Sequence, residues 1–148
     1  MKLNRSKLCV FIAILLLLTF TFTLQAREID NEKWFGIIRS YFDAMSKPDT
    51  EVYGNWEVGV KEEFGLTMEG LKFNYKLLEV DQDDKIVMVT FLFGMTAFCY
   101  DKNGDKNRVE MVRMVIAAID KKTEKIIDTA VLSQVGPTVI HGWNGGDV

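Results

Sequence analysis

Residues 85–119, KIVMVTFLFGMTAFCYDKNGDKNRVEMVRMVIAAI, place two long apolar runs on either side of one polar turn. Both runs are rich in β-branched and aromatic residues, which is typical of strands. Between them, Asn103-Gly104 favours a two-residue type I′ hairpin turn, because that turn needs a positive φ at both central residues. The stretch therefore predicts an antiparallel hairpin in which Lys102 lies opposite Asp105 beside the turn.

The turn also carries alternating Asp and Asn residues from 101 to 107, as the first half of a calcium-binding loop does. An EF-type loop needs Gly at its sixth position and a bidentate Glu at its twelfth. Counted from Asp101, these positions are Lys106 and Val112. The segment is therefore predicted to be a turn. No metal site is expected from His and Cys either, because the exported part of the chain holds one of each.

Continuing the two-residue turn along both strands gives the predicted sheet two apolar faces. On the second face Leu92 pairs with Val115, and Arg113 falls opposite Gly94, where the absent side chain leaves room for a guanidinium. A sheet open to solvent on one side should alternate apolar and polar residues. Each face must therefore be covered by the chain's own segments, a ligand or a second protein. The candidate binding residues are Leu92, Met111, Arg113 and Val115.

Hydrophobic periodicity predicts the elements outside this hairpin. Apolar residues at three- and four-residue intervals predict an amphipathic helix over 29–45, which Pro48 ends. A four-residue recurrence over 49–65 favours a second short helix. The alternative is a strand, because Trp56, Val58 and Val60 alternate and because Gly54 and Gly59 weaken a helix. Period-two alternation predicts four strands, over 71–77, 85–100, 109–119 and 125–134. The apolar stripe of the first helix consists of Trp34, Ile37, Ile38, Tyr41, Phe42 and Met45.

The predicted fold class is α+β, with one or two N-terminal helices packed on a curved four-stranded antiparallel meander. In element order this arrangement resembles the cystatin-like and NTF2-like architectures, in which a helix and a concave sheet form a cone around a cavity. Proteins of these architectures include isomerases, dehydratases, carrier-like domains and periplasmic domains of secretion machinery. The resemblance therefore implies a fold and leaves the function undecided.

The N-terminal segment 1–26 has the order of an export signal. MKLNRSK is basic, an apolar run follows as far as Leu24, and Ala26 precedes a polar stretch. The apolar run is also close to the length that spans a bilayer, so an uncleaved membrane anchor is the alternative. In both cases the basic start stays inside and the body is exported, whether periplasmic, surface-bound or secreted. The body divides into one domain over 27–135 and a Gly-rich tail over 136–148. The tail either folds as another strand or hangs free, and Val139, Ile140 and Trp143 are the candidates for an apolar latch.

Charge and cysteine content narrow the class of partner. The net charge is −3, and residues 1–26 contain three basic and no acidic residues, so the exported body is more acidic than the whole chain. Nucleic acid is therefore not an expected partner. Cys99 is the only thiol outside 1–26, which excludes an intramolecular disulfide. It is either buried as a small hydrophobe or paired with another chain.

An enzyme hypothesis has to rest on carboxylates, because no nucleophile, phosphate-binding or dinucleotide motif occurs, and no cofactor is expected. His141 is the only histidine and has no partner evident in the sequence. Asp128 alternates with apolar neighbours and is the candidate acid or base, with Tyr75 or Tyr41 as a source of a hydroxyl. The structural alternative for Asp128 is a charge that protects an edge strand. Glu110, near the turn, is expected to be solvated.

The sequence therefore predicts an exported, non-enzymatic binding or assembly module that uses an apolar sheet face for a protein partner or for homo-oligomerisation. One alternative is a small NTF2-like cavity enzyme of the isomerase or dehydratase type that uses Asp128. Another is a membrane-anchored component of a cell-envelope complex, which requires that 1–26 be retained. A membrane is a partner only in that last case.

Overall fold

A computed structural model describes residues 5–142, with side chains from residue 12 onward except at 20 and 22. The element order is two helices followed by four strands, which form one antiparallel sheet in the order β1-β2-β3-β4. The α+β class and the meander are therefore confirmed. The elements are α1 (Arg5–Ala44), α2 (Glu51–Phe64), β1 (Thr67–Gln82), β2 (Ile86–Tyr100), β3 (Lys106–Asp120) and β4 (Lys125–His141).

The chain divides into two compact units, Met1–Trp34 and Phe35–Val148. In the first unit α1 exposes a continuous run of large apolar side chains, including Leu16 and Leu17. Thr19 and Thr21 donate their hydroxyls to carbonyls three or four residues earlier, so the run keeps its polar groups bonded within the helix. Among the described residues, Ile12–Ala44 is the one helix that is long and apolar enough to cross a membrane. Signal sequences meet the same criterion.

In the second unit, the last ten residues of α1 pack on the sheet through aromatic contacts. Ile38 is fully buried, and the ring centroids of Phe42 and Phe93 lie 4.9 Å apart. The buried stripe is rotated slightly from the predicted one. Phe35, outside that stripe, is only 6% exposed, whereas Tyr41, inside it, is 45% exposed.

The second helix is confirmed as α2. Its N-cap is Thr50, whose hydroxyl accepts a hydrogen bond from the Tyr53 backbone N–H at 3.3 Å. It ends at Gly65, which adopts the left-handed conformation (φ 65°) and bonds back to the Lys61 carbonyl. Tyr53 and Val60 are buried against the sheet, so packing outweighs the cost of the two helix-weakening glycines.

The predicted register between β2 and β3 is wrong by one residue. Met95 pairs with Met111, and residues 101–105 form the loop. Only Gly104 has a positive φ there (83°), and its N–H donates to the Asp101 carbonyl at 3.0 Å. The Asp101 carboxylate accepts from the N–H groups of Asn103 (2.8 Å) and Asp105 (2.9 Å). This Asx-type capping stabilises a longer turn than Asn-Gly alone predicts, so Lys102 does not pair with Asp105.

The strand β4 is longer than the predicted strand over 125–134. It continues through 136–141, which the sequence assigned to a tail, and Val139 pairs with Val109. The predicted latch residue Trp143 lies outside the described residues. Pairing through 136–141 requires Gly136, which has a φ of 91° and whose absent Cβ would lie 2.6 Å from the Glu110 carbonyl oxygen.

Both edge strands contain β-bulges, whereas β2 and β3 pair without interruption. Register shifts place an extra residue in β1 twice and in β4 three times. Bulges bend a strand and increase its twist, so the two edges of the sheet curve relative to its regular centre. Three of the extra residues are exposed hydrophobics, namely Leu78, Ile127 and Leu132.

Replacing Gly136 by Ala is expected to lower the free energy of unfolding by about 2 kcal/mol or more, because the methyl group meets a backbone oxygen and the positive φ is strained. The matched control is Gly54→Ala in α2, where nothing lies within 4 Å. This control should raise stability by roughly 0.5–1 kcal/mol. Urea unfolding of residues 27–148 measures both changes. Equal effects of the two substitutions would contradict the described path of β4.

Candidate functional site

The sheet has an inner face that is packed by the helices. Side chains of β2 alternate strictly between buried and partly accessible. The buried set pairs with inner-face residues of β3, for example Phe91 with Val115 and Ala97 with Val109. The inner-face residues of β2 are Val87, Val89, Phe91, Phe93, Met95, Ala97 and Cys99.

The outer face of the sheet is also largely apolar, but each of its β2 side chains keeps part of its surface accessible. At its middle, Gly94 pairs with Val112, which pairs in turn with Val135, and these two valines are 43% and 74% exposed. The margins are polar, with Lys72 and Lys76 on β1. The apolar residues of the outer face on β2 to β4 are Ile86, Met88, Leu92, Phe98, Val112, Met114, Ile116, Ala118, Ala130, Val135 and Ile140.

The four predicted binding residues lie on opposite faces, because the register differs from the predicted one. Leu92 is on the outer face, where it pairs with Met114. Met111, Arg113 and Val115 are on the inner face, and Arg113 pairs with Phe93 instead of Gly94. The structure therefore brings three of the four together and separates Leu92 from them.

Met111 and Arg113 line a groove between α2 and the inner face of β3 and β4. Its volume is about 300 Å³. The Arg113 Nε–H donates to Gln134 Oε1 at 2.7 Å, and the Gln134 amide group donates to the Gly136 carbonyl at 3.1 Å. The remaining lining residues are Asn55, Trp56, Gly59, Val60, Glu63, Phe64, Val109, Gln134 and Pro137.

The proposed catalytic carboxylate is not in this groove. Asp128 is exposed on β4 opposite Ala118, on the outer face, and it accepts a hydrogen bond from the Thr129 N–H at 2.8 Å. Glu110 is also on the outer face, where its Oε1 lies 3.0 Å from Arg108 Nε. The enzyme hypothesis requires a buried Asp128, but the Asp128 side chain is exposed.

His141 has a partner that the sequence did not suggest. Its Nδ1 lies 2.8 Å from the Oδ1 of Asn107, a side chain that is only 3% exposed, and the Asn107 amide group donates to the Asp105 carbonyl. The extension of β4 creates this contact, because it pairs the two residues across the strands. Among the described residues no group of three or more His, Cys, Asp or Glu side chains could hold a metal ion.

The Tyr75 hydroxyl connects β1 to α1 through a hydrogen bond to a carboxylate. Its hydroxyl donates to Asp43 Oδ1 at 2.5 Å, and its ring stacks on Phe93. Burial, followed by the bond to the Asp43 carboxylate, raises the pKa of Tyr75 far above its ordinary value. This contact ties α1 to β1, and Asp43 is a partner that neither sequence motif nor spacing indicated.

Cys99 is buried, as one of the two sequence hypotheses predicted. Burial raises its pKa to about 11. The thiolate is the reactive form of cysteine, so this thiol is poorly suited to pairing with another chain.

Comparisons of the chain with family models, with curated proteins and with solved structures found no match. The resemblance to cystatin-like and NTF2-like architectures accordingly stays a likeness of element order. The geometry of the surfaces described above is therefore the basis for a functional hypothesis.

Because the pKa of Tyr75 is raised on folding, the stability it contributes is fully present below pH 10 and falls as the pH rises above that value. We expect the wild type to lose less than about 1.4 kcal/mol per pH unit there, since solvent screens the partly exposed ring. Tyr75→Phe should remove this extra loss and cost about 1 kcal/mol at neutral pH. Tyr41→Phe is the control at a largely exposed tyrosine. Urea unfolding from pH 7 to 11 makes the comparison, and identical profiles for wild type and Tyr75→Phe would contradict the contact.

Proposed function

We propose that the protein is an exported or membrane-anchored assembly module that associates with a second copy of itself through the outer face of its sheet. The observation that carries this proposal is the apolar outer face centred on Val112, whose side chains keep accessible surface. The helices that pack on the domain's sheet do so on the inner face. Burial of this outer surface against another chain would remove apolar area from water.

The size of the outer face fits a protein interface. The four strands have 15 to 17 residues each. At a spacing of about 4.8 Å between strands they present roughly 20 by 50 Å, or about 1,000 Å². A stable interface buries about 800 Å² on each partner.

The charge distribution favours a second copy as the occupant. The centre of the face is apolar, and the ion pair between Arg108 and Glu110 on this face is internally neutral. Lys72 and Lys76 lie at one margin and Asp128 at the other. A neutral apolar patch is complementary to itself in a two-fold dimer, whereas a strongly charged patch would select a partner of opposite charge.

Pairing through the sheet edge is disfavoured. An edge strand attracts another strand through unpaired backbone groups, and bulges and prolines prevent this. The edge strand β4 contains three bulges and Pro137, and β1 contains two bulges and exposed lysines. Contact through the face therefore remains the better mode of association.

Location outside the cytoplasm is supported by the N-terminal segment. Its apolar helix is compatible with a signal peptide or an anchor, and its basic residues precede the apolar run, an order that favours export of the domain. The alternative of an NTF2-like enzyme lacks support, since Asp128 is exposed and Tyr75 is bonded to Asp43.

Cysteine cross-linking of the full chain tests the proposal. In a Cys9→Ala background the buried Cys99 is inert, and Val112→Cys places one thiol at the centre of the outer face. Val58→Cys is the matched control, because Val58 is a similarly exposed valine (53%) on α2. A short bis-maleimide should convert the Val112→Cys chain into a covalent dimer and leave the Val58→Cys chain monomeric.

The mass of the cross-linked product identifies the protein that contacts the outer face. A cross-linked product of twice the chain mass, seen only with Val112→Cys, supports self-association. A product of another mass would replace the second copy with a different protein partner. Equal dimer yields from both variants would mean that cross-linking reflects random collisions between chains. This result would contradict the proposal that the outer face is an interface.

A further inference from the structure

The groove beneath α2 has the composition of a small-molecule site. Its walls combine the aromatic rings of Trp56 and Phe64 with the apolar Val60 and Pro137. Binding pockets are typically apolar, with a few polar groups that orient the ligand. Here the cationic polar group of the groove is Arg113.

Arg113 is a half-buried cation without a carboxylate partner among the described residues. Its Nε–H donates to the neutral side-chain oxygen of Gln134, and no ion pair joins it to Glu63, the acidic residue of the groove lining. A guanidinium carries five N–H donors, and a planar carboxylate accepts two of them in parallel. Arg113 therefore retains donors and a charge that an anionic ligand can satisfy.

Gln134 holds this guanidinium in place. Its amide group donates to the Gly136 carbonyl at 3.1 Å, which leaves its oxygen directed at Arg113 Nε at 2.7 Å. The carbonyl belongs to the bulge that Gly136 makes in β4. A side chain fixed in this way loses little conformational entropy when a ligand binds.

We propose that this groove binds a small monocarboxylate with a compact apolar body. The carboxylate lies on the guanidinium of Arg113, and the apolar body packs against Trp56 and Phe64. A volume of about 300 Å³ accommodates roughly ten non-hydrogen atoms, taking the share of a liquid water as about 30 Å³. Glu63 on the wall disfavours a second negative charge on the ligand. This site is separate from the outer face, so it stands or falls independently of self-association.

The test uses the full chain in nanodiscs with 4-fluorophenylacetate as the probe and its neutral analogue 4-fluorophenylacetamide as the matched ligand, both followed by ¹⁹F NMR line broadening. The acid should bind at least about tenfold more tightly than the amide, because charge-assisted hydrogen bonds exceed neutral ones. Arg113→Gln should abolish this preference. Arg113→Lys should keep part of it, since lysine retains the charge but not the planar fork.

The control for the substitution is Arg39→Gln, which removes an exposed arginine of α1 that does not line the groove and should leave binding unchanged. Equal affinity of the wild type for acid and amide, or no broadening of either up to their solubility limits, overturns the proposal. This comparison needs no variant, so it decides the question even if Arg113→Gln fails to fold. A preference for the acid that persists in a folded Arg113→Gln chain also overturns it.

Discussion

The register between β2 and β3 is the constraint on which the rest of this structure depends. Side chains alternate along a strand, so a slip of one residue would exchange every inner-face residue for an outer-face one. The loop over 101–105 sets this register through the Asp101 carboxylate, which bonds to two backbone N–H groups, and through the positive φ of Gly104. Because of this turn, Phe91 and Phe93 meet the aromatic residues of α1.

The helices and strands could be predicted from the sequence, but the register between β2 and β3 could not. Periodicity was sufficient for α1 from residue 29 onward, for α2 and for the four strands, because each has a clear helical or alternating pattern. The register could not be read in the same way, since β2 is largely apolar at both odd and even positions. Asn103-Gly104 fits a two-residue turn and the longer loop alike, and only the competing bonds of Asp101 select the latter.

The same reasoning explains which parts of the candidate site could be predicted. Met111 and Arg113 were identified as binding candidates, and both line the groove. Leu92 was grouped with them only because the predicted register placed it there. Gln134 was missed because its contact with Arg113 depends on how β4 passes the bulge at Gly136. Bulges change the pairing of distant residues without a periodic signal, although the adjacent Gly136-Pro137 does mark an irregularity in the strand.

The two arginines of β3 show how local charge compensation separates the two surfaces. Arg108 on the outer face lies 3.0 Å from the carboxylate of Glu110, so the surface around it is electrically neutral and suited to contact with an apolar partner. Arg113 on the inner face is held by the neutral amide of Gln134, which orients the guanidinium but leaves its charge uncompensated. A cation that is partly removed from water without a counter-charge costs free energy. We propose that an anionic ligand offsets that cost on binding, so that the same strand would contribute a neutral association surface on one face and an anion-selective groove on the other.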